Sequence, residues 1–148
     1  MNVWIRLLMV TKVFLYRLTG GRLGSRMAGQ NVLLLHTTGR KSGKPYTNPL
    51  NYYRDNGNYL VVASNWGKDR HPAWFYNLMK QPTTTIQVKE HLIQVRASQA
   101  GAVEYDRLWS LVAGQNAYYV RYQQQTGRKI PLVILAPEDA ISAGEERA

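Results

Sequence analysis

Arg40, Lys41 and Lys44 crowd into one short run, LLLHTTGRKSGKPYTNPL (residues 33–50), with no acid in that stretch to balance them. Around them stand Thr37, Thr38, Gly39, Ser42 and Gly43, which are small or carry a hydroxyl. Two glycines let backbone N–H groups approach a ligand closely. Arginine adds a planar fork suited to phosphate or carboxylate. The residue types describe a cradle for an anion at the end of a strand. The spacing GxxxxGK[ST] is missing, so this is not a Walker loop. The plain alternative is a basic turn in solvent.

A second stretch, SNWGKDRHPAW (64–74), joins a strand end to a helix start. The free amides and partial positive charge of a helix N-terminus also favour an anion. Lys68, Arg70 and His71 precede it, and Trp66 and Trp74 flank it, which suits a flat ligand with a charged tail. Core packing is the simpler use of two tryptophans. A third stretch, NAYYVRYQQQTGRKIP (116–131), gathers Tyr118, Tyr119 and Tyr122. On a helical turn Tyr119 and Tyr122 share a face. They could lay rings against a flat substrate and offer hydroxyls to its oxygens, or simply cap the core.

Other chemistries find little support. His36, His71 and His91 have neither ligand spacing nor cysteine partners, which argues against a metal site. The acids are too scattered for a carboxylate pair. No GxSxG motif is present. A site with anion binders and aromatic rings but no nucleophile borrows its chemistry from a cofactor.

The elements that must position these residues can be read in outline. The 148 residues suffice for one domain with a core, and the 45% hydrophobic content excludes a disordered chain. The absence of cysteine fits a cytoplasmic protein. The net charge of +10 is uneven: residues 1–54 carry nine Lys and Arg and no acid, while 55–148 carry ten against nine. Such a field attracts phosphate, polycarboxylate, nucleic acid or an anionic membrane.

Strands are expected at 31–37, 46–54, 59–64, 83–88, 91–97 and 130–136. Turns at Asp55–Asn58 and Lys89–Glu90 make hairpins of 46–64 and of the fourth and fifth strands. Pro72 opens a helix that Pro82 stops. Residues 101–114 read as a helix with Val103, Leu108, Leu111 and Val112 inward. The pattern is α+β: about six antiparallel strands in a small closed or half-closed barrel, with short helices. Residues 1–22 form a front helix, 23–137 the barrel domain and 138–148 a frayed tail, with the glycine-rich 19–30 as linker. The front helix is too interrupted by Arg6 and Lys12 to span a bilayer. It either docks on the barrel by one face or lies in a membrane interface, which would make the protein peripheral on the inner face of the cell membrane.

The three blocks LLLHTTGRKSGKPYTNPL, VVASNWGKDRHPAWFYNLMKQP and YQQQTGRKIPLVIL, in that order, resemble the deazaflavin-dependent nitroreductase family of the flavin-reductase-like split β-barrel superfamily. The likeness covers residues 24–136. It implies a split barrel that binds coenzyme F-420, a deazaflavin with a ribityl phosphate and an oligoglutamate tail, and passes a hydride to a quinone or nitroaromatic acceptor. Several members associate with membranes through the N-terminal segment. By position in these blocks, Arg40, Lys41, Ser42 and Lys44 would hold the anionic tail, and Pro49 lies in the same cofactor-binding run. Ser64, Asn65 and Gly67 would lie beside the ring with Trp74 packed nearby. Tyr119 and Tyr122 match the catalytic substrate side.

Two departures bear on substrate preference: Asn65 stands where some members have lysine, and Gly127 where the run TDR is frequent. The same barrel with FMN is the nearest alternative, although FMN lacks the tail that so many cations would serve. A carrier of cofactor or lipid without catalysis is another. A nucleic-acid partner is disfavoured, because the cations sit in turns and the front helix, not along one stacking strand. The oligomeric state is open, a homodimer being common among split barrels of this kind.

Overall fold

The computed structural model describes residues 3–21, 26–27 and 29–139. Helix α1 (Val3–Leu18) comes first, followed by β1 (Arg26–Met27), β2 (Gln30–Thr38), β3 (Pro45–Asn51), β4 (Tyr53–Asp55) and β5 (Asn58–Val62). A 3-10 turn (Asn65–Gly67) leads into α2 (Ala73–Lys80). Then come β6 (Thr83–Val88), β7 (His91–Gln99), α3 (Ala102–Gln115), α4 (Tyr118–Gln125) and β8 (Leu132–Pro137). Every strand pairing is antiparallel, in the order β1-β2-β6-β7-β8-β5-β4, with β3 also on β2. This is the curled sheet of a split barrel.

The expected hairpins form. Asn56 and Gly57 both take positive φ (49° and 82°), the two-residue turn that matches strand twist. The expected strand 46–54 is two. It breaks at Tyr52, whose N–H bonds to Asn31 O at 3.0 Å, and the chain passes there from pairing β2 to pairing β5. The very short β1 and β4 account for the excess over six strands, and β1 falls inside the stretch read as linker. Helix α4 is a further element, and the tail beyond 139 lies outside the described residues.

Strands β5 and β8 explain the continuous apolar runs. Tyr59, Val61, Val133 and Leu135 join one core cluster with Leu33, Leu35, Ile86 and α2. Their neighbours Leu60, Val62 and Leu132 join a second cluster with α3 and α4. Alternate residues of one strand face opposite sides, so both faces of these strands are covered. On α3 the inward stripe is Tyr105, Leu108 and Val112, with Leu111 half-buried. Val103, expected inward, is 97% exposed because it sits off that stripe in the first helical turn. The Tyr105 hydroxyl, pushed up to about 12 by burial, donates to Ile130 O at 2.5 Å.

Helix α1 is fastened near its C-terminal end. Tyr16 is fully buried, and its hydroxyl accepts Lys89 N–H (2.5 Å) and donates to Gln87 O (3.3 Å). Arg17 Nη2 donates to Thr47 Oγ1 at 2.7 Å. The stripe Val3, Leu7, Val10, Phe14 and Leu18 is exposed, as are Trp4 and Leu8. Among the described residues no helix is long and apolar enough to cross a membrane.

Candidate active site

The turn between β2 and β3 closes on itself. Gly39 N–H donates to Lys44 O (2.8 Å), Gly43 N–H to Gly39 O (2.9 Å) and Lys44 N–H to Ser42 Oγ (3.2 Å). A Cβ at Gly39 would lie 2.5 Å from Ser42 Oγ and 2.8 Å from the Tyr46 ring, so both side chains would have to shift. Helix α2 holds this turn from beneath. Asn77 Oδ1 accepts Arg40 N–H (3.0 Å) and Arg40 Nη1 (3.4 Å), and Lys80 Nζ donates to Arg40 O (2.8 Å). The Arg40 guanidinium lies 4.8 Å over the Tyr76 ring.

The result is an open cleft of about 490 Å³ walled by Thr38–Gly43 on one side and Asn77, Lys80 and Gln81 on the other. Arg40, Lys41 and Lys80 line it. Among the described residues, no acid forms an ion pair with any of them. Lys44 stands outside the wall, at the exit of the turn. Asn77, Lys80 and Gln81 escaped sequence reading, though their i, i+3, i+4 spacing on a helix was a usable signal. The cleft meets the C-terminal half of α2, so the helix start at Pro72 is a separate feature of the surface.

The second part of the site is strained backbone. Asn65, Trp66 and Gly67 take φ of 47°, 60° and 75° in succession. Such conformations cost roughly 1–3 kcal/mol each for residues other than glycine and persist only where the surroundings impose them. Trp66 is 66% exposed, its ring edge-on to Tyr122 at 6.4 Å. Tyr122 stacks on Tyr118 at 6.4 Å and meets Tyr119 edge-on at 6.5 Å. A Cβ on Gly67 would come within 3.0 Å of Tyr122 Cα, so glycine lets α4 approach the turn.

The two tyrosines singled out from sequence have different surroundings. Tyr119 is 5% exposed, and its hydroxyl lies 3.0 Å from that of Tyr53, which donates to Gln30 Oε1 at 2.9 Å. Burial above all, and Tyr53, push its pKa far up. Tyr122 is half-buried beside Trp66. Burial, then Tyr118, raises its pKa as well. Trp74 belongs to the main core, 7% exposed and edge-on to Phe75 at 6.5 Å. Pro49 is half-buried in mid-β3, opposite Leu34.

Ser64 and the residues after it are tied to the cleft through the start of α2. The His71 ring lies 4.8 Å from Phe75 and 5.6 Å from Tyr76, the ring beneath Arg40. No cluster of His, Cys, Asp and Glu that could hold a metal occurs among the described residues.

Residues 8–137 match the family model described as F-420H(2)-dependent quinone reductase. The chain belongs to that family. It is 43% identical over 125 residues to an F-420H(2)-dependent quinone reductase of Mycobacterium tuberculosis, covering 82% of this chain and 84% of the relative. Its fold is similar to a solved F-420-H2 dependent reductase, FDR-A, with a TM-score of 0.64 and 34% identity over 70% of this chain and 92% of the other. It also resembles a structure described as a domain-swapped dimer, with a TM-score of 0.68 and 31% identity over 89% and 96% of the two chains. Within the quinone reductase family, the cationic cleft and the strained turn are this chain's two candidate cofactor contacts.

Proposed function

We propose that this quinone reductase family member transfers a hydride from reduced coenzyme F-420 to a quinone, with nitroaromatics as further acceptors. The observation that carries this reading is the cleft: three cations on two elements, none of them ion-paired among the described residues, more charge than one phosphate requires. A phosphate followed by glutamates fits that excess, and FMN does not use it. Arg40, Lys41 and Lys80 bind the tail, with Ser42 and Lys44 at the turn. Gly39 keeps the turn compact enough for backbone approach.

The bound coenzyme supplies the two electrons as a hydride. Ser64, Asn65 and Gly67 place the ring through the strained turn. Trp66, Tyr118 and Tyr122 wall the acceptor side and exclude water there. The Tyr122 hydroxyl donates to the acceptor oxygen as negative charge develops, which lowers the barrier only if the donor is already aimed. Tyr119 stands behind it, fixed by Tyr53, and keeps the Tyr122 ring in place. Trp74 and Pro49 shape the site from the core side.

The exposed stripe of α1, with Arg6, Lys12 and Arg17 and no acid on that helix, fits the surface of an anionic membrane, where a lipid-soluble quinone is found. The protein is then peripheral on the cytoplasmic face.

The test is a fluorescence titration with coenzyme F-420 of short and long tails and with FMN, in wild type and in Arg40→Ala, Lys41→Ala. Tighter binding of the deazaflavin, rising with tail length, is expected. The double variant should lose about 1.5–3 kcal/mol, the scale of charge-assisted hydrogen bonds. Tighter binding of FMN at equal salt overturns the assignment.

A further inference from the structure

Arg128 lies between α4 and β8, in a turn with no assigned role. Its guanidinium reaches into the loop 63–71 with four contacts. Nε donates to Lys68 O (2.9 Å), Nη2 to Ser64 O (2.8 Å) and Nη1 to Ala63 O (3.2 Å) and His71 Nδ1 (2.9 Å). Its own N–H bonds to Thr126 Oγ1 (3.3 Å), and that hydroxyl donates to Asp69 Oδ1 (2.8 Å). Asn65 Nδ2 closes the loop within itself on Arg70 O (2.8 Å). Residues 126 and 128 therefore grip the loop on both sides of the three positive-φ residues.

We propose that Arg128 is a positioning residue for the cofactor ring: its guanidinium, spanning the carbonyls of Ala63, Ser64 and Lys68, holds the strained Asn65–Gly67 turn in the form that presents Ser64, Asn65 and Gly67 to the ring. Left alone, a tryptophan in the left-handed region relaxes to another conformation, since its Cβ is disfavoured there. Three carbonyls facing one point also need a donor with several N–H groups in fixed directions. Arginine supplies five, whereas lysine supplies a compact ammonium that cannot span them. The Arg128 guanidinium touches neither cofactor nor acceptor and acts only through the loop.

This inference rests on the proposed use of a deazaflavin. The experiment compares wild type with Arg128→Lys, using coenzyme F-420 and its ring–ribitol fragment, which lacks phosphate and tail. Dissociation constants are measured over a salt series, with melting temperature as the folding control. Arg128→Lys should weaken binding of the fragment at least 10-fold. It should weaken the whole coenzyme by a similar factor, with the salt dependence and the gain per glutamate unchanged, because the cleft is intact. A purely structural defect would weaken both parts of the site and change that gain. Wild-type affinity for the fragment in a folded Arg128→Lys protein overturns the proposal. So does a loss confined to the tail.

Should Arg128→Lys fail to fold, Thr126→Val carries the test. It keeps the buried shape and removes only the hydroxyl joining Arg128 to Asp69. It should weaken the fragment about 3-fold or more, and no change overturns the proposal. A wild-type protein that binds neither ligand overturns the deazaflavin reading and this inference together, whereas wild-type binding matched by both variants overturns this inference alone.

Discussion

Tyr119 and Tyr122 differ by three positions and, in this structure, by surroundings. The Tyr119 hydroxyl is spent inside the core on Tyr53, and Tyr122 sits half-buried against Trp66. Tyr119→Phe should therefore cost about 1 kcal/mol of stability, the net value of one hydrogen bond, with little change in turnover. Tyr122→Phe should leave the melt unchanged and lower the turnover of menadione by about 10- to 1000-fold, the range for losing a transition-state donor. Denaturation curves and steady-state rates separate the two, and a reversed pattern would move the acceptor to Tyr119. At the same scale, His71 Nδ1 receives the Arg128 bond, so its imidazole is neutral with the proton on Nε2. Burial, then the Arg128 charge, lowers its pKa. The unfolded chain therefore takes up this proton first as pH falls. The stability His71 contributes is full above about 6.5, the ordinary value, and is lost as pH drops through the depressed folded value. His36, lowered by burial and then Arg17, adds the same sign. Melting temperature should fall as pH is lowered below about 6.5. His71→Asn, whose oxygen can take the Arg128 bond without titrating, should flatten that slope and leave the His36 part.

At the scale of elements, the site depends on how closely α4 meets the 3-10 turn. Gly67 and Gly57 make a controlled pair. Both have positive φ, 75° and 82°, but a Cβ at Gly57 meets nothing within 4 Å, whereas one at Gly67 meets the Tyr122 backbone at 3.0 Å. Gly57→Ala should cost only the left-handed penalty, roughly 1 kcal/mol. Gly67→Ala should cost more, because α4 must also move, and should weaken cofactor binding as Gly57→Ala does not. Equal losses in urea denaturation would mean that the approach of α4 is not constrained by this glycine.

For the whole molecule, cations of the positive N-terminal third stand at two surfaces, Arg40 and Lys41 at the cleft and Arg6, Lys12 and Arg17 on α1. Helix α1 is anchored near its C-terminal end by Tyr16 and Arg17, while most of its first three turns is exposed. Deleting residues 1–13 should release the protein from anionic vesicles while leaving melting temperature and cofactor affinity unchanged. Sustained sedimentation of the shortened chain with vesicles would show that α1 is not the contact. If wild type stays free of vesicles and light scattering gives a dimer, a second copy covers the stripe. Tyr16→Ala, by contrast, should cost about 3–5 kcal/mol, as for other large buried rings.

The longer strands, the hairpin turns and the stop and start of α2 were legible in the sequence, because strand alternation, Asn-Gly and proline act over a few residues; the two-residue β1 and the break at Tyr52 were not. The sequence also determined the basic loop, since glycine and cation spacing is local, and three blocks in order sufficed for the family. What those residues meet follows from the folded arrangement. Lys80 reaches Arg40 across 40 positions, and Arg128 reaches Ser64 across 64. No local pattern encodes a contact made by sheet closure. The same closure buried Tyr119 and left Tyr122 half-exposed, although the two share a face of α4, because Tyr119 sits inside the second core cluster and Tyr122 packs at its edge beside Trp66. It also split the strand at Tyr52, where a continuous extended sequence has to change partners as the sheet curls.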